Sequence, residues 1–194
     1  MNRIGLFGGS FDPVHNGHLL VAMAACEEIG LERVFFIPAA QSPFKPESKP
    51  APPQMRLRLL RLALAGKTNY EVDQQELTRG GTSYTIDTVR DYKTRFPKSE
   101  LFYLIGADHI PQLHKWRSAD ELARSVEFVA IPRPGQTAPA PPAGFRVRAL
   151  HGFPFGVSSS QIRERVRAGK SIDCLVPSAV AEAIRNSRLY FEQA

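Results

Sequence analysis

Short apolar runs alternate with stretches of helical periodicity along this chain. The runs predict buried strands at residues 3–7, 33–37, 101–105 and 126–131, with a further strand expected over 70–77. Helices are expected at 18–29, 55–65, 85–96 and 159–168. A capping-box pattern at 118–121 predicts the start of a further short helix, and Pro177 is expected to open the last one. Because strands alternate with helices, the pattern predicts a doubly wound, Rossmann-like α/β fold with a parallel sheet.

The first helix and the C-terminal part carry more specific expectations. Leu19, Leu20, Met23 and Ile29 fall roughly on one face of helix 18–29, and Gly30 is expected to end it. The proline-rich segment 132–144 is typical of a surface connection. A chain of 194 residues suits one domain. Residues from about 157 to 194 are expected to form its small helical C-terminal part.

The loop after the first predicted strand holds the strongest chemical signal. It reads GGSFDPVHNGH over 8–18, and ligands of open parallel sheets bind beyond the C-terminal ends of the strands. Gly8 and Gly9 let the backbone approach a ligand, and the helix that follows points free N–H groups at it. His15 and His18 are three residues apart, so both rings could face one phosphate. The loop is neither a Walker motif nor GxGxxG.

Two other interpretations of the histidines stay open at this point. A single histidine near a helix start is more often a surface or capping residue. Two histidines three apart could also bind a metal, although no nearby cysteine or third histidine supports that. Paired with a glycine-rich loop, phosphate binding is the preferred hypothesis.

Charge and cysteine content narrow the class of protein. Lys and Arg outnumber Asp and Glu by 25 to 19, a net charge of +6 that fits nucleic acid, an anionic membrane or small phosphorylated substrates. Cys26 and Cys174 form no CxxC pair, which argues against a disulfide framework or structural zinc. No apolar stretch approaches the length of a membrane span, so a cytoplasmic location without a membrane partner is expected. No metal-ligating residues are assigned.

Several motifs resemble one enzyme family, in order and over nearly the whole chain. HNGH at 15–18 is similar to the (H/T)xGH signature of the nucleotidyltransferase superfamily. SSSQIR at 158–163 resembles its second signature, ISSTxIR, with Val157 and Ser160 as departures. Four further features resemble the bacterial nicotinate mononucleotide adenylyltransferase branch of that superfamily. They are SYTIDT at 83–88, GAD at 106–108, Trp116, and LVP at 175–177 followed by Leu189 and Tyr190.

The resemblance implies a reaction and its substrates. ATP would donate an adenylyl group to nicotinate mononucleotide, giving deamido-NAD and pyrophosphate in NAD biosynthesis, with Mg²⁺ accompanying ATP. The mononucleotide phosphate attacks directly, so no protein nucleophile is required and catalysis consists of positioning and charge stabilisation.

The resemblance also assigns roles to residues. His15 and His18 are the catalytic pair at the ATP phosphates, and Lys45 and Arg163 would hold phosphates from opposite sides of a cleft. Trp116 would stack on the pyridine ring near Tyr84 and Thr85. The full expected substrate-binding set is Gly8, Gly9, Ser10, Phe11, Lys45, Tyr84, Thr85, Gly106, Asp108, Trp116, Arg133, Ser158, Ser159, Ile162 and Arg163.

Several of these residues also have structural interpretations. Arg163 could be a solvated helix arginine and Trp116 a core residue. Asp108 could accept ribose hydrogen bonds, cap the helix expected from Ile110, or do both. Phe44 stands where the family commonly has histidine, and Arg117 where an aromatic residue is frequent.

Three functional alternatives remain. A pantetheine-phosphate adenylyltransferase shares the first loop, although such enzymes are shorter, usually have Thr for the first His and lack SYTIDT. A cytidylyltransferase is a weaker rival. A basic nucleic-acid-binding module would use the arginines of 56–61 and 163–167, but no recognised nucleic-acid motif appears. Oligomeric state and the choice between nicotinate and nicotinamide mononucleotide are open.

Overall fold

The computed structural model describes residues 2–44, 49–131, 135, 137–153 and 155–191. Six parallel strands form one sheet: β1 Arg3–Gly9, β2 Arg33–Pro38, β3 Tyr70–Val72, β4 Glu100–Gly106, β5 Glu127–Ile131 and β6 Val147–Ala149. Their order is β3-β2-β1-β4-β5-β6, so the chain winds outward in both directions from the centre. The doubly wound prediction is confirmed, and the strand order reverses between β1 and β4.

Helices cover both faces of the sheet. They are α1 Asn16–Ile29, α2 Pro53–Leu64, α3 Gln75–Arg79, α4 Thr85–Arg95, α5 Ala119–Ser125, α6 Ser159–Arg167 and α7 Ser178–Ser187. Strands β1, β2 and β4 are buried on both faces, because their side chains alternate between two apolar clusters. Phe7 and Phe36 point to one cluster, which α6 and α7 also enter, and Leu6 and Phe35 point to the other.

The core-facing side of α1 differs in part from the predicted one. Ile29 is buried and Leu19 packs against the core as predicted. The other buried positions include Ala22 and Ala25, whereas Leu20 and Met23 are only half-buried. Small alanine side chains let the helix pack closely on the sheet. The prediction relied on the spacing of the larger apolar residues and therefore missed the alanines. Gly30 ends the helix in the left-handed conformation (φ 72°), as expected.

Two local predictions need correction. The strand predicted over 70–77 ends at Val72, because the Asp73 carboxylate accepts the N–H of Gln75 at 2.9 Å and starts α3. The capping box at 118–121 is wrong: Ser118 has φ 54° and makes no side-chain cap bond, and Glu121 pairs with Arg90 instead.

Two further elements were not predicted in this form. A 3-10 helix spans Ala107–Lys115, beginning before the helix expected from Ile110, and β6 is a short edge strand. The proline-rich connection 132–144 falls partly outside the described residues. In the described part of the chain, no helix is both long and apolar enough to cross a membrane.

Candidate active site

A cleft of about 1040 Å³ opens beside the C-terminal ends of β1 and β4, at the reversal of strand order. Nine residues predicted to bind substrate or act in catalysis line it: Ser10, Phe11, His15, His18, Gly106, Asp108, Ser158, Ser159 and Arg163. They come from three segments of the chain, residues 10–18, 106–108 and 158–163, so the fold brings together the two signatures read from the sequence.

The two histidines stand at the N-terminus of α1 with their rings nearly face to face. Their ring centroids are 3.7 Å apart at an interplanar angle of 31°. The backbone N–H of His15 donates to Nδ1 of His18 at 3.1 Å. That bond makes Nδ1 of His18 an acceptor, so a neutral His18 carries its hydrogen on Nε2 and can donate it to a ligand.

Burial keeps this pair uncharged. It lowers the pKa of His15 from 6.5 to about 4. The pKa of His18 is well below 6.5, first because of burial and second because His15 lies beside it. Each ring therefore acts as a neutral hydrogen-bonding group near neutral pH, and an anion placed beside the rings would also meet the N-terminus of α1.

Phe11 shapes the loop and supports His18. It adopts φ 46°, a left-handed conformation that costs roughly 1–2 kcal/mol for a residue with a side chain. Its ring is buried and lies 5.0 Å from the His18 ring and 5.5 Å from the Phe7 ring, measured between centroids. The packing offsets the backbone strain and fixes the orientation of His18.

Helix α6 brings the second signature into the cleft directly beside the first loop. A capping box joins Ser158 and Gln161, and the Ser159 hydroxyl donates to the Pro13 carbonyl at 2.8 Å. Arg163 Nη1 donates to the Asp12 carbonyl at 2.7 Å. Ile162 is different: its side chain is fully buried in the core, so it anchors the helix and does not line the cleft.

The residues expected around the pyridine ring lie on the other face of the sheet. Trp116, at the end of the 3-10 helix, packs against Phe44 with centroids 5.4 Å apart, and Phe44 lies 5.2 Å from His109. Trp116 Nε1 is buried and has no hydrogen-bond partner among the described residues. The Arg117 guanidinium stacks over the Tyr84 ring at 4.6 Å.

Gly8 and Gly9 stand in the chain between Phe7 and Ser10, which line the cleft, but neither glycine is among the lining residues. A Cβ on Gly8 would overlap the Tyr103 hydroxyl, so only glycine fits there. That hydroxyl also lies 3.5 Å from Thr85 Oγ1. A Cβ on Gly9 would instead contact the Phe11 ring. The two glycines therefore let β1 end against bulky neighbours on both faces.

Four further residues of the cleft were not singled out from the sequence as site residues: Asp12, Lys49, Arg167 and Tyr190. Asp12 lay inside the glycine-rich loop, but no spacing rule marks a carboxylate as buried. The sequence marks Tyr190 only through the resemblance of Leu189-Tyr190 to the C-terminus of the family, which assigns its hydroxyl no role.

Some predictions cannot be placed. Lys45 and Arg133 lie outside the described residues. Within the part of the chain that the structure describes, no group of three or more His, Cys, Asp or Glu side chains could hold a metal ion.

Comparison with known proteins identifies the family. Residues 6–165 match the cytidylyltransferase-like family. The chain is 43% identical to the "Probable nicotinate-nucleotide adenylyltransferase" of Opitutus terrae, over 97% of both chains. It is 37% identical to the nicotinate-nucleotide adenylyltransferase of Bacillus subtilis, over 98% of this chain and 99% of that one.

A solved structure gives the same fold. The Plasmodium falciparum nicotinic acid mononucleotide adenylyltransferase complexed with NaAD superposes with a TM-score of 0.77 at 16% identity, covering 98% of both chains. Both relatives match over nearly their full length, and the family model covers most of the residues. The chain therefore belongs to the nicotinate-nucleotide adenylyltransferase family of cytidylyltransferase-like proteins.

Proposed function

We propose that this protein transfers the adenylyl group of ATP to nicotinate mononucleotide, giving nicotinate adenine dinucleotide and pyrophosphate. The observation that carries the proposal is the close His15–His18 ring pair, which lines one cleft together with Arg163 at the reversal of strand order. Relatives that match almost the whole chain are named for this reaction.

The chemistry requires placement of two phosphates more than it requires a protein base. An oxygen of the mononucleotide phosphate forms a bond to the α-phosphorus of ATP, and the bond from that phosphorus to the bridging β-phosphate oxygen breaks. Negative charge passes to the leaving pyrophosphate. The Nε2–H of His18, the N-terminus of α1 and Arg163 are donors that this charge would meet.

Nicotinate mononucleotide, the acceptor, would bind against the aromatic side chains around Trp116, on the sheet face opposite the cleft. Trp116 and Phe44 offer ring faces for a pyridine, and the Trp116 indole N–H is a buried donor. Phe44, which replaces a common histidine of the family, thus adds an apolar surface where a phosphate contact was expected. Tyr84 and Thr85 lie near the same edge of the sheet.

Members of this family generally use a divalent metal, and we propose Mg²⁺ bound with ATP. Asp108 is a carboxylate in the cleft near the expected polyphosphate, whereas the described residues form no cage of three ligands. Such a donor set suits an ion that the phosphates and water hold for the most part. The metal would supply charge neutralisation on the polyphosphate.

The competing nucleic-acid hypothesis loses part of its basis in the fold. Of the three arginines in α2, Arg56 is fully buried and donates to the carbonyls of Ser10 and Ala51, so it offers no charge to a partner. Arg163 faces the cleft. We therefore expect small phosphorylated substrates and no nucleic-acid partner. A cytoplasmic location without a membrane partner stays an expectation from the sequence.

Pyrophosphate release with MgATP tests the proposal directly. Nicotinate mononucleotide, nicotinamide mononucleotide and phosphopantetheine would be compared as acceptors under identical conditions. We expect release with nicotinate mononucleotide to exceed the other two clearly. Release with phosphopantetheine alone would keep nucleotidyl transfer and contradict the acceptor, and no release with any of the three would contradict the function.

A further inference from the structure

The C-terminal segment that follows α7 reaches back to the first loop. The Tyr190 hydroxyl donates to Oδ1 of Asp12 at 2.7 Å, joining residues 178 positions apart. Tyr190 has φ 70°, and this left-handed turn directs its ring towards the cleft wall. Asp12 is only 7% exposed, so its carboxylate depends on protein donors rather than on water.

Asp12 is a junction between three parts of the site. Its Oδ1 also accepts the N–H of Ala51 at 3.2 Å, and its backbone carbonyl accepts Arg163 Nη1 at 2.7 Å. The same Nη1 lies 3.6 Å from Oδ2 of the carboxylate. One residue therefore connects the first loop, the segment before α2 and the arginine of the second signature.

Most of this junction is fixed from beneath. The fully buried Arg56 donates to the Ser10 carbonyl at 2.7 Å and to the Ala51 carbonyl at 3.0 Å, which holds both backbone segments. Arg163 is freer, since its side chain is 27% exposed. Arg56 also lies near the Asp12 carboxylate, but its bonds to the two carbonyls hold it in place. If the carboxylate lost the Tyr190 hydroxyl, Arg163 is the cation with freedom to move closer and compensate, because charge-assisted pairing strengthens in a partly buried site.

We propose that Tyr190 is a positioning residue for the ATP side of the site: its hydroxyl satisfies the Asp12 carboxylate and so leaves the Arg163 guanidinium directed to the polyphosphate. The proposal rests on the adenylyl transfer proposed above. It gives the C-terminal segment a function in substrate binding, exerted through Asp12 and Arg163 without contact between Tyr190 and the reacting atoms.

The test compares Tyr190→Phe, which removes only the hydroxyl, with Tyr70→Phe as a matched control. Tyr70 is also a half-buried tyrosine of the same core cluster, and its hydroxyl interacts with Cys26, away from the cleft. We expect Tyr190→Phe to raise KM for MgATP about tenfold, the scale of one hydrogen bond to a charged group. KM for nicotinate mononucleotide should stay unchanged, and Tyr70→Phe should change neither constant.

A second arm separates this proposal from the proposed reaction. Calorimetry would measure the Kd of α,β-methylene-ATP for the wild type, Tyr190→Phe, Arg163→Ala and the double variant, with no turnover required. We expect Tyr190→Phe alone to weaken binding of the ATP analogue about tenfold relative to the wild type. When added to Arg163→Ala, it should weaken binding no further. This pattern would stand even if the enzyme preferred another acceptor.

Three outcomes would overturn the proposal. One is an unchanged KM and Kd for the ATP ligand, with only the thermal midpoint lowered, which would make Tyr190 a purely structural residue. Another is an equal rise in both KM values. The third is an equal loss of binding with and without Arg163.

Discussion

His18 shows how a single side chain is prepared by its surroundings. Its Nδ1 is occupied by the backbone N–H of His15, its ring packs against Phe11, and its pKa lies well below 6.5. These constraints leave Nε2–H as a fixed donor that need not reorganise during reaction. Replacing His18 with Ala should therefore lower kcat by roughly 10²–10³-fold, the effect of losing one preorganised donor.

Steady-state kinetics of pyrophosphate release would measure this loss. The exposed His114, outside the cleft, provides His114→Ala as a control that should keep wild-type turnover. The assigned role of His18 would be untenable if its alanine variant turned over at the wild-type rate.

The buried position of His15 has a consequence for stability. Its pKa is lowered from 6.5 to about 4 in the folded protein, so between these values the unfolded chain binds a proton that the folded chain does not. Protonation of the unfolded chain therefore lowers the free energy of unfolding as the pH falls from 6.5 towards 4, whereas above pH 6.5 His15 causes no such loss. The shift corresponds to about 3 kcal/mol of unfolding free energy.

Denaturant unfolding of the wild type and His15→Asn at pH 7.5 and 4 would measure the effect. Asn lacks the titrating group, so the free energy of the variant should fall less over this interval, by up to about 3 kcal/mol. Parallel changes in the two proteins would mean that His15 is not buried in its neutral form.

Among the elements, the end of β3 depends on one carboxylate. Asp73 accepts the Tyr92 hydroxyl at 2.6 Å and Arg95 Nη1 at 2.7 Å, both from α4, besides the N–H of Gln75. Although burial opposes it, this set of donors lowers the pKa of Asp73 below 3.8. The carboxylate thus joins β3, α3 and α4 on one side of the sheet.

Asp73→Asn should lower the free energy of unfolding at pH 7 by about 1–3 kcal/mol, since the amide is a poorer acceptor for these donors. The folded-state pKa is depressed, so this contribution is present above the unfolded value of 3.8 and disappears as the pH falls through the folded value. Denaturant unfolding from pH 7 down to pH 3 would follow it. The control is Asp91→Asn, which removes only an exposed partner of Arg95; an equal loss in the two variants would contradict the joining role.

The same elements separate what the sequence could predict from what it could not. The strands β1, β2, β4 and β5 were visible because strands buried on both faces form continuous apolar runs. The end of β3 was missed because Asp73 terminates the strand by a local side-chain bond that apolar periodicity does not detect. The αL conformation of Ser118 was missed for a similar reason, since the pattern of a capping box does not report backbone angles.

In the site, the local motifs were predictable and the distant contacts were not. His15 and His18 are neighbours in one loop, so their spacing already placed them together. The bond between Tyr190 and Asp12 spans almost the whole chain and depends on where α7 ends. Tertiary packing decides such contacts, and one sequence without structure contains no signal for them.

At the scale of the whole molecule, the sheet separates the two regions that we propose to bind the substrates. His18 and Arg163 line the cleft on the sheet face whose core cluster contains Phe7. Trp116 packs on the opposite face, with the cluster that contains Leu6. Gly8, at the end of β1, is where the two regions meet, because the absence of a side chain lets the Tyr103 hydroxyl approach the backbone. Under the proposed function, each substrate is held mainly from one face, and the strand ends bring their phosphates together.

This division predicts that the binding constants of the two substrates can be changed separately. Trp116→Ala should raise KM for nicotinate mononucleotide about tenfold, since stacking of a ring on an aromatic side chain contributes roughly 1–3 kcal/mol, while KM for MgATP stays near the wild-type value. Phe96→Ala is the control, because Phe96 is an aromatic residue packed on the same cluster at the far end of α4. A rise in KM for MgATP of the same size as that for the mononucleotide would mean that Trp116 supports the sheet as a whole, and the pyridine would then have to be held elsewhere.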